Sequence, residues 1–393
     1  MNAIVLKRGK DKAAKHRHPW IFSGAIHDLI GSPVNGETIE VLDSNKEFLG
    51  LAAYSPYSQI RARFWTFKKE HIDKEFFTNR ISNALQKRNE FQKSSSDTAW
   101  RLVHGESDLI PGLIVDQYND VLALQFLSSG VEFHREIIIK SLQEITGINN
   151  LFERSDVDVR KLEGLEERKG LISGIVPDEM IIEEDNLKFI VNISTGHKTG
   201  FYLDQRENRK IISKFCKGRD ILNVFSYTGG FSVYAAYHQA NAITSLDSSA
   251  DAMEIAKRNM NLNGFHPSSY EWLIEDAFKA LRKMRDNNRK FDVVILDPPK
   301  FAATQSQVER ASRGYKDINL LGFKLLNPGG VLITFSCSGG INDSLFQKII
   351  SDAALDAGVS ASIMQKLTQG PDHPIGLNFP EGSYLKGFVC KRD

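Results

Sequence analysis

The sequence has few cysteines and no long apolar run. Cys216, Cys337 and Cys390 are the only cysteines in 393 residues, and they lie far apart. That spacing is neither a disulfide framework nor a zinc ligand set. No metal is expected, and any cysteine of consequence works as a free thiol in a reducing compartment. The longest run of apolar letters is five residues, Val233–Tyr237. A membrane-spanning helix needs about 18–20 residues, and a secretory core about 7–15. A cytoplasmic protein without a membrane partner is therefore expected. Charge of one sign is also missing: 50 Lys and Arg face 49 Asp and Glu, for a net +1. Global electrostatics makes no case for nucleic acid, so local clustering must carry it. With 41% apolar and 25% charged residues, wholesale disorder is excluded. The length suggests two or three domains.

One local cluster exists. Lys7, Arg8, Lys10, Lys12, Lys15 and Arg17 surround a single acid, Asp11, and run into His18-Pro19-Trp20. A charge run is most often a solvated face. The adjacent aromatic makes this one a candidate RNA surface as well. Short strands over 38–42, 48–54 and 60–67, punctuated by Gly31, Pro33, Gly36 and Pro56, predict a small β-rich domain, residues 1–70. A charged helix over 70–93, closed by Ser94-Ser95-Ser96-Asp97, leads into strands and turns from Arg101 to Phe126. With a hairpin turn at Asn119-Asp120 and a helix over 134–146, this reads as an α+β linking domain, residues 72–185. The rest, 186–393, becomes regular alternation from about 200 on. Strands over 220–225, 242–247, 270–274, 291–296 and 331–335 alternate with helices, which predicts a parallel Rossmann-like α/β sheet.

The first strand–helix turn of that region runs from Asn223 through Phe225 to Gly229-Gly230. Glycines there let backbone approach a ligand at a helix N-terminus. The second strand ends in Asp247, followed by Ser248; an acid at that place binds a ribose diol. A dinucleotide fingerprint G-x-G-x-x-G is absent, so no pyrophosphate seat is evident. Instead, Asp276 and Asp297 follow the third and fourth strands. Any one of these acids alone reads as a helix cap. Three at successive strand ends suit S-adenosylmethionine, which carries no phosphate but has an ammonium and an adenine amino group.

Asp297 opens Asp297-Pro298-Pro299-Lys300-Phe301, and an Asp-Pro-Pro motif at this position is associated with methyl transfer to nucleobases. Two prolines fix the chain, so the aspartate can grip the edge of a base drawn out of its stack. After the fifth strand comes Ser336-Cys337-Ser338-Gly339-Gly340. A lone cysteine is usually a small buried hydrophobe. At a parallel strand's end beside Asp297 it is a candidate nucleophile. C5 of a pyrimidine is too weak a nucleophile until a thiolate adds at C6.

These residues resemble the bacterial 23S rRNA (cytosine-5-)-methyltransferase I family. The similarity runs through 18–24, 101–108, 153–156, 196–206, the Asn223 turn, 297–301, the Cys337 turn, 372–374 and 380–382. The stretch Gly196-His197-Lys198-Thr199-Gly200-Phe201-Tyr202-Leu203-Asp204-Gln205-Arg206 is the most specific piece. The resemblance implies an N-terminal PUA RNA-binding domain, a linking domain and a class I methyltransferase domain. It further implies S-adenosylmethionine as cofactor, Cys337 as nucleophile, Asp297 on the cytosine, and Tyr202 and Gln205 near the cofactor or cleft. The implied partner is 23S rRNA, free or in a ribosome-assembly intermediate, with a homodimer left open. Related RNA cytosine-5 enzymes of the Nop2/Sun type carry a second cysteine after the prolines. Here Lys300 stands there, a candidate RNA contact, so one cysteine would both attack and leave.

Three other readings stay open at this level. They are a uracil-5 enzyme, an exocyclic-amine enzyme with a structural Cys337, and a non-catalytic RNA-binding assembly protein on the same scaffold.

Overall fold

The computed structural model describes residues 2–92, 96–302 and 307–393. Ser94 and Ser95, expected to close the first long helix, lie outside the described residues. By compactness the chain forms two units. One is Met1–Asp185 with Val191–Leu203 and Pro371–Gly382; the other is Asn186–Ile190 with Asp204–Gly370 and Ser383–Asp393.

The first unit holds two sheets. Six strands, Ala3–Leu6, Trp20–Phe22, Ile26–Ile30, Thr38–Leu42, Phe48–Tyr54 and Ile60–Thr66, form the N-terminal one. Period-two alternation builds it: Ile39 and Val41 are fully buried while Thr38, Glu40 and Leu42 are not. Five strands between Ala99 and Ser173 form the other, flanked by helices Lys74–Gln92 and Arg135–Thr146. The expected hairpin turn is present, with Asn119 at φ 52°. Packing does not break at the expected boundary near residue 70. Ala53 and Trp65 share one buried cluster with Phe76, Phe77 and Val131. Gly130 is pressed against them so closely that a Cβ there would sit 2.4 Å from Ala53 Cβ.

Distant motifs of this unit meet in a buried polar network. Arg88 makes a two-point ion pair with Asp108 (2.8 and 2.7 Å) and donates to the Asp372 carbonyl at 2.9 Å. Asp116 pairs with Arg101 and accepts from Thr199 Oγ1 at 2.5 Å. The Tyr118 hydroxyl accepts the Phe201 amide at 3.2 Å. A buried charge left unpaired costs several kcal/mol, so these pairs fasten 191–203 and 371–382 to this unit.

The second unit is the expected α/β sheet. Its elements are β1 (Asp220–Val224), α1 (Gly230–Tyr237), β2 (Ala242–Asp247), α2 (Ala250–Leu262), β3 (Glu271–Ile274), α3 (Ala277–Asp286), β4 (Phe291–Leu296), α4 (Val308–Leu325), β5 (Leu326–Ser336), α5 (Asp343–Ala357), β6 (Ala361–Leu367) and β7 (Lys386–Arg392). The sheet order is β3-β2-β1-β4-β5-β7-β6. The first five are parallel, and β7 runs antiparallel to both β5 and β6. β4 is apolar at all but one position because helices cover both faces of its sheet. The strand order reverses between β1 and β4. In such sheets ligands bind at the carboxyl edge of that switch point.

Candidate active site

The turn after β1 is conformationally unusual. Phe225, Tyr227 and Gly229 all have positive φ (60°, 47° and 78°). Such angles are uncommon for residues other than glycine and persist only where surroundings hold them. Asp247, at the end of β2, does part of this. Its Oδ2 accepts the Tyr227 amide at 2.8 Å, and its Oδ1 accepts the Ser249 amide at 2.9 Å. The carboxylate is thereby fixed in orientation and half-buried, with lone pairs left over for a diol. Ser248 beside it is exposed. Asn259 holds the far side of the turn, donating to the Thr228 carbonyl at 2.8 Å while accepting the Ile190 amide at 2.8 Å. Sequence reasoning missed Asn259. Its signal was a polar residue on the buried stripe of α2, with Ala252, Met253, Ala256 and Met260.

Two residues of this turn have packing partners that the sequence did not show. Asn223 is fully buried, and its Nδ2 donates to Ser232 Oγ at 2.8 Å, which in turn bonds Ser245 Oγ at 2.8 Å. It ties β1, α1 and β2 together from inside the core. Gly229 serves packing as much as ligand approach. A Cβ there would lie 2.9 Å from Ala256 Cβ, so glycine lets α1 begin close against α2. At Gly230 the nearest atom is Arg209 Cδ at 3.3 Å. Asp276 does act as the cap of α3, accepting the Lys279 amide with Oδ1 at 3.0 Å. Its Oδ2 is left for a ligand.

The two catalytic candidates come together. β4 and β5 are adjacent and in parallel register, Leu296 opposite Thr334, so Asp297 and Cys337 follow the carboxyl ends of neighbouring strands. Ser338 stitches their loops: its Oγ accepts the Ala302 amide at 3.1 Å and bonds the buried Tyr315 hydroxyl at 3.0 Å. Asp297 is half-buried, and its Oδ2 accepts from Gln205 Nε2 at 3.0 Å. Gln205 is itself fixed through Asn208 Nδ2, 2.6 Å from its Oε1. Pro299 and Lys300 are exposed beyond.

Cys337 is partly exposed, unlike the other two cysteines. Burial pushes the Cys216 and Cys390 thiols up to about 12, which leaves them inert. Sequence reasoning also missed Lys386, the first residue of β7, which is buried beside the Cys337 turn.

Tyr202 belongs to the first unit, where its ring lies under Lys198 Nζ at 4.4 Å and its hydroxyl is 3.3 Å from His197 Nδ1. The N-terminal cations Lys7, Arg8, Lys10, Lys12, Lys15 and Arg17 are all exposed. Lys15 is partly neutralised by Asp11 at 2.5 Å. Trp20 is half-buried; its indole N–H donates to Glu106 at 2.8 Å and its ring meets Phe379 edge-on at 4.9 Å. Among the described residues no cluster of His, Cys, Asp or Glu could hold a metal ion.

The donor set fits S-adenosylmethionine. Fixed carboxylates at the ends of β2 and β4, a half-free one after β3, and no glycine-rich phosphate cradle suit a cationic, phosphate-free ligand with a diol. Comparison with known proteins agrees. The profile of S-adenosylmethionine-dependent methyltransferases matches residues 169–376, and that of a PUA-like domain matches residues 4–67. A protein of Tolumonas auensis named ribosomal RNA large subunit methyltransferase I is 51% identical over 391 residues, covering 99% of this chain and 98% of that one. The chain belongs to the ribosomal RNA large subunit methyltransferase I family. The family member from Aeromonas salmonicida is 49% identical over 390 residues, with 99% and 98% covered. S-adenosylmethionine is therefore the cofactor of this family member. Two solved structures share its fold over the full length of both chains at 22% identity. They are a putative methyltransferase from Streptococcus mutans (TM-score 0.86) and a putative methyltransferase complexed with SAH (TM-score 0.87).

Proposed function

We propose that the protein methylates C5 of a cytosine in 23S rRNA through a covalent bond between Cys337 and C6 of the base. The observation that carries this is the placement of a partly exposed cysteine and a half-buried aspartate at the ends of adjacent parallel strands. The names of the full-length relatives supply ribosomal RNA of the large subunit as the substrate class. Methylation of a nitrogen needs no thiol at that position; methylation of a pyrimidine C5 does.

Asp247, Asp276 and the Phe225–Gly229 turn would hold S-adenosylmethionine, which supplies an electrophilic methyl group when bound. Asp297, oriented by Gln205, would hold the edge of the extruded base. Cys337 Sγ forms a bond to C6, and the ring electrons move to C5, which becomes nucleophilic. After methylation the C5 proton leaves to a base, the C6–S bond breaks, and Cys337 leaves as thiolate. Lys7 to Arg17, Trp20 and Lys300 would contact RNA phosphates and shape. In this reading the N-terminal sheet captures RNA, residues 72–185 link, and 186–393 carry the chemistry, in the cytoplasm.

The test is RNA substituted with 5-fluorocytidine. Fluorine cannot leave as a cation, so a covalent protein–RNA adduct should accumulate and survive denaturing gels. Cys337→Ala should form none and should lose essentially all turnover while keeping cofactor affinity. Substantial activity in Cys337→Ala, or no adduct with active enzyme, would replace this reading with methylation of an exocyclic amine.

A further inference from the structure

Lys386 is a lysine where a lysine is costly. It lies in β7 opposite Ser336 of β5, one residue before Cys337, and is 4% exposed. Its ammonium has three donors, yet its one hydrogen bond among the described residues is to the Ser338 carbonyl at 3.0 Å. Nζ thus lies against the Cys337–Ser338 turn. Among the described residues no carboxylate pairs with it within ion-pair distance. A buried charge is stable only when paired, so either the amine sheds its proton or an anion must stand near it.

The groups facing this corner are few. Cys337 and Asp343 favour the charged amine; Lys300 opposes it. Burial, the dominant influence, pulls Lys386 below its ordinary value. From α4 the buried Tyr315 hydroxyl also senses Cys337 and is pushed up, chiefly by burial. Cys337 is the one nucleophile in the set that is both partly exposed and next to the base site proposed above.

We propose that Lys386 is the positioning residue that takes the proton of the Cys337 thiol and holds the resulting thiolate as an ion pair. The S–H bond breaks, an N–H bond forms on Nζ, and the pair of charges replaces a neutral thiol and a neutral amine. No oxidant or co-reactant is involved. The inference rests on Cys337 being the nucleophile of the proposed reaction and explains how that thiol is ionised at neutral pH.

The experiment is the pH dependence of iodoacetamide alkylation of the full chain, read by mass spectrometry on the peptide containing Cys337. Cys216 and Cys390 are buried and stay silent. In the unaltered protein the midpoint should fall below the ordinary cysteine value of about 8.5. Lys386→Met should raise it by at least about one pH unit, the scale for losing a neighbouring opposite charge. Lys386→Arg should hold it low, and the acid limb of kcat should move with it. A midpoint at or above about 8.5 in the unaltered protein overturns the proposal even if no variant folds. So does an unchanged midpoint in Lys386→Met that still binds S-adenosylmethionine. The 5-fluorocytidine adduct separates the two readings. A low midpoint without an adduct sinks the C5 chemistry and leaves the pair standing; an adduct with a Lys386-independent midpoint sinks only the pair.

Discussion

Gln205 holds Asp297. The amide of one donates to Oδ2 of the other at 3.0 Å, and Gln205 is almost completely buried while it does so. In the proposed reaction this carboxylate is fixed before a base arrives, and such preorganisation lowers a barrier. Gln205→Met removes this donor at similar volume. A hydrogen bond to a charged group is worth about 1.5–3 kcal/mol. Turnover with tritiated S-adenosylmethionine, measured where the variant is still folded, should fall roughly 10- to 100-fold. Full activity in Gln205→Met would mean that Asp297 needs no guide.

Asp247 should govern cofactor affinity. It orients itself on two backbone amides, and Asp247→Ala removes both anchors and the proposed acceptor for the diol. Calorimetry should show binding of S-adenosylmethionine weakened by about 1–3 kcal/mol, the scale of charge-assisted hydrogen bonds. Equal affinity in the variant would move the ribose elsewhere.

The N-terminal cations should set the salt dependence of RNA binding. Deleting residues 1–70 is a poor test, because Trp65 is 2% exposed and shares its core with Phe76 and Phe77. Replacing Lys7, Arg8, Lys10 and Lys12 by Gln leaves that core intact, since all four are exposed. The slope of log affinity against log salt should shrink by roughly 0.7 for each lost phosphate contact with single-stranded RNA. A slope equal to that of the unaltered protein would make this a solvated face only.

Acid should destabilise the first unit through His134. Its ring lies against Phe77 (5.0 Å) and Trp65 (5.9 Å), and burial lowers its pKa to about 4. The unfolded chain protonates this histidine near 6.5 while the folded chain resists. Nothing is lost above pH 6.5. Between about 6.5 and 4, stability falls by at most about 1.4 kcal/mol per pH unit. His104, also held well below its ordinary value chiefly by burial, adds to the same trend. In urea titrations across that range, His134→Leu should flatten the slope. An identical slope in the variant would assign it wholly to other groups.

Much of the second unit was legible because parallel strands covered on both faces leave continuous apolar runs. Phe291–Leu296, apolar at all but one position, reads directly from the chain. β6 was not legible, since six of its seven residues are exposed at the sheet edge and carry no alternation. α4 begins at Val308, earlier than its apolar stripe suggests, and α5 was not expected at all. The network around Arg88, Asp108 and Asp372 was invisible because pairing across 284 positions leaves no local trace.

By itself the sequence determined the alternation of the first five strands of the second unit with helices, the acids at the ends of three of them, the Asp297 motif and the position of Cys337. Each of these is local: a periodicity, a turn residue or a strand terminus. Only the tertiary structure decided how those residues are packed and paired. Asn223 turned inward because strand alternation and Ser232 gave its amide a partner in the core. Gly229 proved necessary for the approach of Ala256, a residue of another helix. Lys386 joined Cys337 because β7 runs antiparallel beside β5, and a pairing of strands so distant in the chain is set by sheet hydrogen bonds, which every residue makes alike.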